Sequence, residues 1–104
     1  MKTLYWLGTS LEDLAGFPDD AKREAGYDLY RVQEGLEPRD WKPMATVGLG
    51  VREIRVRDAT GAYRVFYLME SGDAVYVLHA FQKKTQQTPK TDIDKAKTRL
   101  KLIK

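Results

Sequence analysis

Cysteine is absent from this 104-residue chain, and histidine occurs once, at His79. The first absence excludes disulfides and thiolate metal sites, and the second excludes a metal centre built from several histidines. No run reaches the roughly 20 apolar residues that a membrane-spanning helix needs, and the apolar start of the chain is too short for a signal peptide. No P-loop or dinucleotide-binding motif occurs either. We therefore expect a cytoplasmic protein without a metal or cofactor.

The composition is that of a folded protein, with 42% hydrophobic and 11% aromatic residues. At this length the chain can build one small core, so we predict a single domain over residues 1–104. A binding or active site must then lie on the surface or in a shallow groove, and an enzyme of this kind would act by positioning and electrostatics.

Charge is distributed unevenly along the chain. Residues 1–40 contain five Lys or Arg and nine Asp or Glu, whereas residues 41–104 contain thirteen and six. A basic C-terminal part favours an anionic partner such as nucleic acid, although ordinary solvation of the surface also accommodates such a bias.

Apolar spacing predicts three helices. A short helix begins at Thr9 or Ser10 and is broken at Gly16, and a second begins near Pro18 and stops at Gly35. A third opens at Thr88 and Pro89, a threonine cap followed by a proline at the first helical position. The residues that line one face of the second helix are Ala21, Ala25, Leu29 and Val32. Those that line one face of the third are Ile93, Ala96, Leu100 and Ile103.

Residue patterns predict strands at 3–7, 51–58, 63–69 and 74–81, with residues 37–50 irregular. Short turns make the last three strands an antiparallel meander, and the nearly continuous apolar run 74–81 predicts the central strand, buried on both faces. The fold class is α+β. We predict a two-layer fold in the order βααβββα, with a small antiparallel sheet, an N-terminal helical hairpin and a C-terminal helix.

Two basic clusters are candidates for phosphate binding. Arg55 and Arg57 are two residues apart and point to the same side of one strand, and Arg64 lies on the next strand. Lys83 and Lys84 follow the apolar strand. Fixed cations on one face would bind a phosphodiester and stabilise added charge on it, and an arginine fork pairs two phosphate oxygens. The alternative is a solvated face, where alternating charge discourages edge aggregation.

Several blocks in this order resemble the RelE/ParE superfamily of toxins, in the phage-derived Gp49-like or HigB-like branch. The blocks are Trp41-Lys42-Pro43-Met44, Gly50-Val51-Arg52-Glu53-Ile54-Arg55, Tyr63-Arg64-Val65-Phe66-Tyr67, Tyr76 to Thr85, and Thr88-Pro89 followed by Asp92-Ile93 and Ala96. The resemblance implies a RelE-like fold and the toxin of a type II toxin–antitoxin system. It also implies a cognate antitoxin, usually with a helix-turn-helix domain, and a ribosome-dependent endoribonuclease that cuts mRNA by attack of a ribose 2′-OH.

The resemblance also implies roles for individual residues. Arg64 matches the arginine that contacts the scissile phosphate, Arg55 a basic strand position, and Lys83 or Lys84 the basic residue after the last strand. We assign Arg57, Lys84, Lys42 and Arg52 to RNA or phosphate binding.

The chain departs from RelE at two positions, and both concern proton transfer. Glu53 stands where RelE has a lysine, and no aromatic residue occurs in the last helix where RelE uses a tyrosine. The general base is left open among His79, Tyr63 and Glu53. His79 is a catalytic candidate because a histidine titrates near neutral pH, but its apolar surroundings also suit a hydrogen-bonded core residue.

Two other functions remain open for this scaffold. One is a ParE-like protein that inhibits DNA gyrase without cutting nucleic acid, since one fold carries different functions. The other is an inactive relative that acts only together with its antitoxin.

Overall fold

The computed structural model describes residues 1–70 and 72–103. Its elements are β1 (Thr3–Trp6), α1 (Ser10–Ala15), α2 (Asp19–Gln33), β2 (Trp41–Pro43), β3 (Val51–Asp58), β4 (Gly61–Met69), β5 (Ala74–Lys83) and α3 (Lys90–Leu100). The α+β class is confirmed, and the observed order adds one strand to the prediction.

The strands form a five-stranded sheet in the order β1-β5-β4-β3-β2. β1 runs parallel to β5 and the other pairs are antiparallel, so the sheet is mixed rather than purely antiparallel. The meander of β3, β4 and β5 is confirmed, but β4 occupies the centre of the sheet and not β5. The added strand β2 lies in the stretch predicted to be irregular, and as an edge strand it tolerates Pro43.

Helices cover both faces of the sheet, which gives three layers where two were predicted. On one face α1 and α2 pack against β-strand residues including Ile54, Val65 and Val77. On the other face Ala96 of α3 packs with residues including Phe66. Because each face is partly covered, alternation along a strand does not by itself separate core from solvent.

The apolar face predicted for α2 is confirmed, whereas on the predicted face of α3 only Ala96 is buried and Ile103 lies beyond the end of the helix. In α2 all four predicted residues, Ala21, Ala25, Leu29 and Val32, are buried. Gly35 follows α2 with a φ of +83°, a left-handed conformation that a glycine adopts without strain and that ends a helix. α3 begins at Lys90, with Pro89 as its N-cap, one residue later than predicted.

The pairing of β4 with β5 shifts register by one residue. Phe66 pairs with His79 but Tyr67 pairs with Val77, so β5 has an extra residue, Leu78, at this point. Such a bulge reverses the alternation of the strand beyond it. Leu78 and Phe81 therefore both belong to the core on the α3 side of the sheet. Beyond them Lys83 is opposite Ala62.

Candidate phosphate-binding site

Basic side chains from three strand segments meet on the α3 side of the sheet. Arg55 of β3 pairs directly with Arg64 of β4. Arg64 pairs in turn with Phe81 of β5, and Lys83 lies two residues further along β5 on the same face. Together they border a cleft of about 400 Å³, which we call the basic cleft. Its lining residues are Arg55, Arg57, Arg64, Lys83, Lys84, Thr85 and Gln86. Five of the predicted site residues thus lie together around one cavity.

Most of the positive charge in the basic cleft is unneutralised. Among residues 1–70 and 72–103, no hydrogen bond or ion pair engages the side chains of Arg55, Arg57, Lys83 or Lys84. Glu53 forms an ion pair with the cleft, since its Oε1 lies 3.7 Å from Nε of Arg64. Several cations without counter-ions on a concave surface attract an anion such as a phosphodiester.

Arg64 forms the floor of the basic cleft. It is 5% exposed, and its Nη1 donates a hydrogen bond to the carbonyl oxygen of Tyr63 at 3.1 Å. Burial lowers the pKa of Arg64 from its ordinary value, while the charge of Glu53 opposes this change. Arginine stays protonated in proteins, so this residue presents a fixed cation.

Lys83 lies at the rim of the basic cleft and is partly exposed. Desolvation lowers its pKa from the ordinary value, and the positive charge of Arg64 lowers it further. A lysine whose pKa is lowered carries a larger neutral fraction near neutral pH, which is the form that accepts a proton.

The two other predicted RNA contacts lie on different sides of the sheet. Lys42 pairs with Glu53 across β2 and β3, which places it on the face of the basic cleft. Arg52 is one residue from Glu53 on the same strand and so points to the opposite face. There its guanidinium lies 4.1 Å from the ring centre of Trp41 and 3.7 Å from the carboxylate of Glu37. The fold therefore brings Lys42, and not Arg52, toward the cleft.

His79 is held by two partners, one on each ring nitrogen. Arg99 Nη1 donates to Nδ1 at 3.2 Å, and because an arginine only donates, the ring proton must be on Nε2. Nε2 then donates to Asp92 at 2.7 Å. Burial lowers the pKa of His79, against the opposing effect of Asp92, so the neutral ring is favoured. His79 is four residues from Lys83, roughly 13 Å along an extended strand.

The other two candidates for the general base do not border the basic cleft. The Tyr63 hydroxyl lies 2.6 Å from the Thr60 hydroxyl, and its ring packs on Phe17 in the core on the α2 side. Glu53 is fully buried beneath Arg64. None of the three therefore reaches the cavity that the cations surround.

Sequence patterns missed several residues around these sites. Thr85 and Gln86 line the basic cleft from the segment after β5, where no periodicity marks their direction. Arg99, which ties α3 to His79, also donates to the carbonyl oxygen of Leu78 at 2.9 Å and to the Thr9 hydroxyl at 3.1 Å. Because Arg99 lies on a helix with many basic residues, the sequence pattern did not indicate that its side chain points toward the sheet.

The chain is a small α+β protein, and its sheet carries a cleft whose cations have no counter-ion among the described residues. The particular family follows from comparison with known families. The model of the phage derived protein Gp49-like family (DUF891) matches residues 12–101, which include the whole lining of the basic cleft. The chain therefore belongs to the Gp49-like family, as its sequence blocks predicted.

Two further findings complete the comparison. No curated protein matches the chain. Across residues 1–70 and 72–103, the helices are all too short or too polar to cross a membrane.

Proposed function

We propose that this protein is the toxin of a type II toxin–antitoxin system and that it cleaves mRNA on the ribosome. The observation that carries the proposal is the basic cleft, in which Arg55, Arg57 and Lys83 have no counter-ion among the described residues around the buried Arg64. Membership of the Gp49-like family is consistent with a toxin. Its proposed partners are a cognate antitoxin with a helix-turn-helix domain, the ribosome and mRNA.

The proposed reaction is attack of a ribose 2′-OH on the adjacent phosphorus. The 2′ oxygen forms a bond to phosphorus, the bond to the 5′ oxygen breaks, and a cyclic phosphate and a free 5′-OH result. The 2′-OH loses a proton to a base, and the leaving 5′ oxygen gains one. Negative charge builds up on the phosphate oxygens in the transition state, where Arg64 and Arg55 stabilise it. Fixed cations need no reorganisation to do so.

Lys83 is the side chain that we propose for accepting the 2′-OH proton. It borders the basic cleft and its pKa is lowered, whereas His79, Tyr63 and Glu53 do not line that cavity. A base needs to reach the proton that it takes, so position is the first criterion and the pKa the second.

Substitution of the buried arginine tests this proposal. Arg64→Ala should abolish growth arrest and the appearance of new transcript ends after induction, because removing one such charge contact costs about 10²- to 10³-fold in rate. The matched control is Arg23→Ala, which removes an exposed arginine paired with Asp20 on α2. The control should arrest growth like the wild type.

The same experiment distinguishes mRNA cleavage from the two alternative functions. Unchanged transcript cleavage by the Arg64→Ala protein would overturn the assigned site. Growth arrest with DNA damage and intact transcripts would favour a gyrase inhibitor, and no growth defect in the wild type would favour an inactive relative.

A further inference from the structure

One buried charge remains without a hydrogen bond. Glu53 on β3 is fully buried, and neither Oε1 nor Oε2 has a hydrogen-bond donor within the described part of the chain. Burying a carboxylate is costly where no hydrogen bond compensates it, and only a nearby opposite charge then offsets the cost. The cation that lies closest to Glu53 therefore indicates what the carboxylate does.

The cation nearest to Glu53 is Arg64, on the neighbouring strand. Glu53 pairs with Phe66, and Arg64 is two residues from Phe66 on the same face, so the carboxylate approaches the guanidinium diagonally. Oε1 lies 3.7 Å from Nε, and Nε has no hydrogen bond to another described residue. Because Nη1 is bonded to the carbonyl of Tyr63, the remaining terminal nitrogen, Nη2, is free to reach a ligand.

Glu53 is the stronger of two carboxylates, with Asp40, whose charge offsets the positive neighbours of Arg64. The charges of Arg55 and Arg57 both act to lower the pKa of Arg64, and among the side chains that act on it Glu53 is the main one that opposes them. An arginine has a flexible stem, and a net excess of positive neighbours would favour its turning away from them. A carboxylate on the side remote from the cleft opposes that movement.

We propose that Glu53 is a positioning residue, which holds the Arg64 guanidinium from below so that its terminal nitrogen points into the basic cleft. The carboxylate itself does not touch RNA. This inference rests on the proposed function, since it assigns to Glu53 the orientation of the group that binds the scissile phosphate.

The test compares two substitutions that remove the charge. Glu53→Gln keeps the size and shape of the side chain, and Glu53→Met replaces it by an apolar side chain of similar volume. Both should have a lower thermal midpoint than the wild type, because the buried charge of Arg64 loses its partner, so circular dichroism first establishes that each variant is folded at the assay temperature. In single-turnover cleavage of ribosome-bound mRNA, both should be slower by about 10- to 100-fold, the effect of misplacing a catalytic group by about 1 Å. Glu34→Gln, the same change at an exposed position after α2, should cleave like the wild type.

The NMR resonance of the Arg64 Nε–H distinguishes a change in the orientation of this side chain from other causes of a slower rate. The Nε–H resonance of Arg64 should move in Glu53→Gln, and it should be protected from exchange with solvent in the wild type. In the Arg64→Lys background, adding Glu53→Gln should slow cleavage further by only about twofold or less, because Glu53 acts through the guanidinium. Full activity of either folded Glu53 variant would overturn the inference.

Failure of the proposed function and failure of the role of Glu53 would give different results. If the wild type cuts no RNA, the proposed function fails, while the Nε–H resonance still reports whether Glu53 holds Arg64. If both Glu53 variants fail to fold, the remaining test is the exchange rate of the Arg64 Nε–H in the wild-type protein. An Arg64 Nε–H that exchanges as fast as that of the exposed Arg23 then overturns the inference.

Discussion

Arg55 and Arg64 face each other directly across β3 and β4, two like charges at one position of the sheet. Like charges directly opposite in a sheet are destabilising, whereas most proteins place opposite charges there. No described side chain forms a hydrogen bond or ion pair with Arg55 to relieve the repulsion. The proposed function accounts for this repulsion, because a bound phosphate would supply the missing negative charge.

We therefore expect Arg55→Gln to make the free protein more stable and less active. The gain in the free energy of unfolding should be about 0.2 to 1 kcal/mol, larger at low salt, because one repulsive pair is removed. Thermal and urea unfolding at two salt concentrations measure it. Arg23→Gln is the control, since it breaks the exposed pair with Asp20 and should leave stability the same or slightly lower. A less stable Arg55→Gln protein would contradict this account.

The sequence predicted the parts of the fold that depend on local patterns. The spacing of Ala21, Ala25, Leu29 and Val32 placed α2 correctly, and the turn before Gly61 joined β3 to β4 as expected. The alternation in β3 also put Arg55 and Arg57 on one side. These features follow from neighbours a few residues apart, which a sequence displays directly.

Features that depend on distant partners were not predictable in the same way. The run Ala74 to Phe81 is almost entirely apolar, so it shows no alternation from which the extra residue Leu78 could be read. That register shift determines which side Lys83 and His79 face. The burial of Glu53 was also hidden, because it arises from packing on the α3 side of the sheet rather than from anything local to β3.

The proposed role of Lys83 makes the reaction rate depend on pH. A base is active when deprotonated, so the cleavage rate should rise with pH below the pKa of Lys83, which is lowered from its ordinary value by desolvation. Lys83→Arg keeps the positive charge but holds its proton, so it should cut slowly and without this rise of the rate with pH. Single-turnover cleavage between about pH 6 and pH 9 tests this, with the exposed Lys97→Arg as control. Identical profiles for wild type and Lys83→Arg would exclude Lys83 as the base.

The two faces of β3 should differ in their contribution to RNA binding. Arg57 borders the basic cleft, and Arg52 points to the other face and stacks on Trp41. A cation that contacts phosphate adds about 0.7 to the slope of log affinity against log salt for a single strand. We expect Arg57→Gln to lower that slope by about this amount and Arg52→Gln to leave it unchanged.

Fluorescence anisotropy with a short single-stranded RNA, 2′-O-methylated so that it is not cut, measures both slopes. Arg52→Gln should instead lower stability by about 0.5 to 1 kcal/mol through the lost contact with Trp41. Equal loss of RNA affinity in the two variants would show that the RNA also contacts the opposite face.

The buried His79 should make folding stability depend on pH near neutrality. Its pKa in the folded protein is lowered, chiefly by burial, below the value of 6.5 expected in the unfolded chain. Between these two values the unfolded chain binds a proton that the folded protein does not, so stability rises with pH through this range. The stabilisation is complete above about pH 6.5 and is lost as the pH falls through the lowered value.

Thermal unfolding between about pH 7.5 and pH 5 should therefore show a falling midpoint in the wild type and a flatter dependence in His79→Gln. The variant should also be less stable at pH 7.5, because Asp92 and Arg99 lose the ring that joins them across α3 and β5. Lys97→Gln, an exposed change on the same helix, should keep the wild-type pH dependence. If His79→Gln lost stability on acidification as steeply as the wild type, the titrating group would have to be another residue, and the neutral ring inferred from its two hydrogen bonds would be wrong.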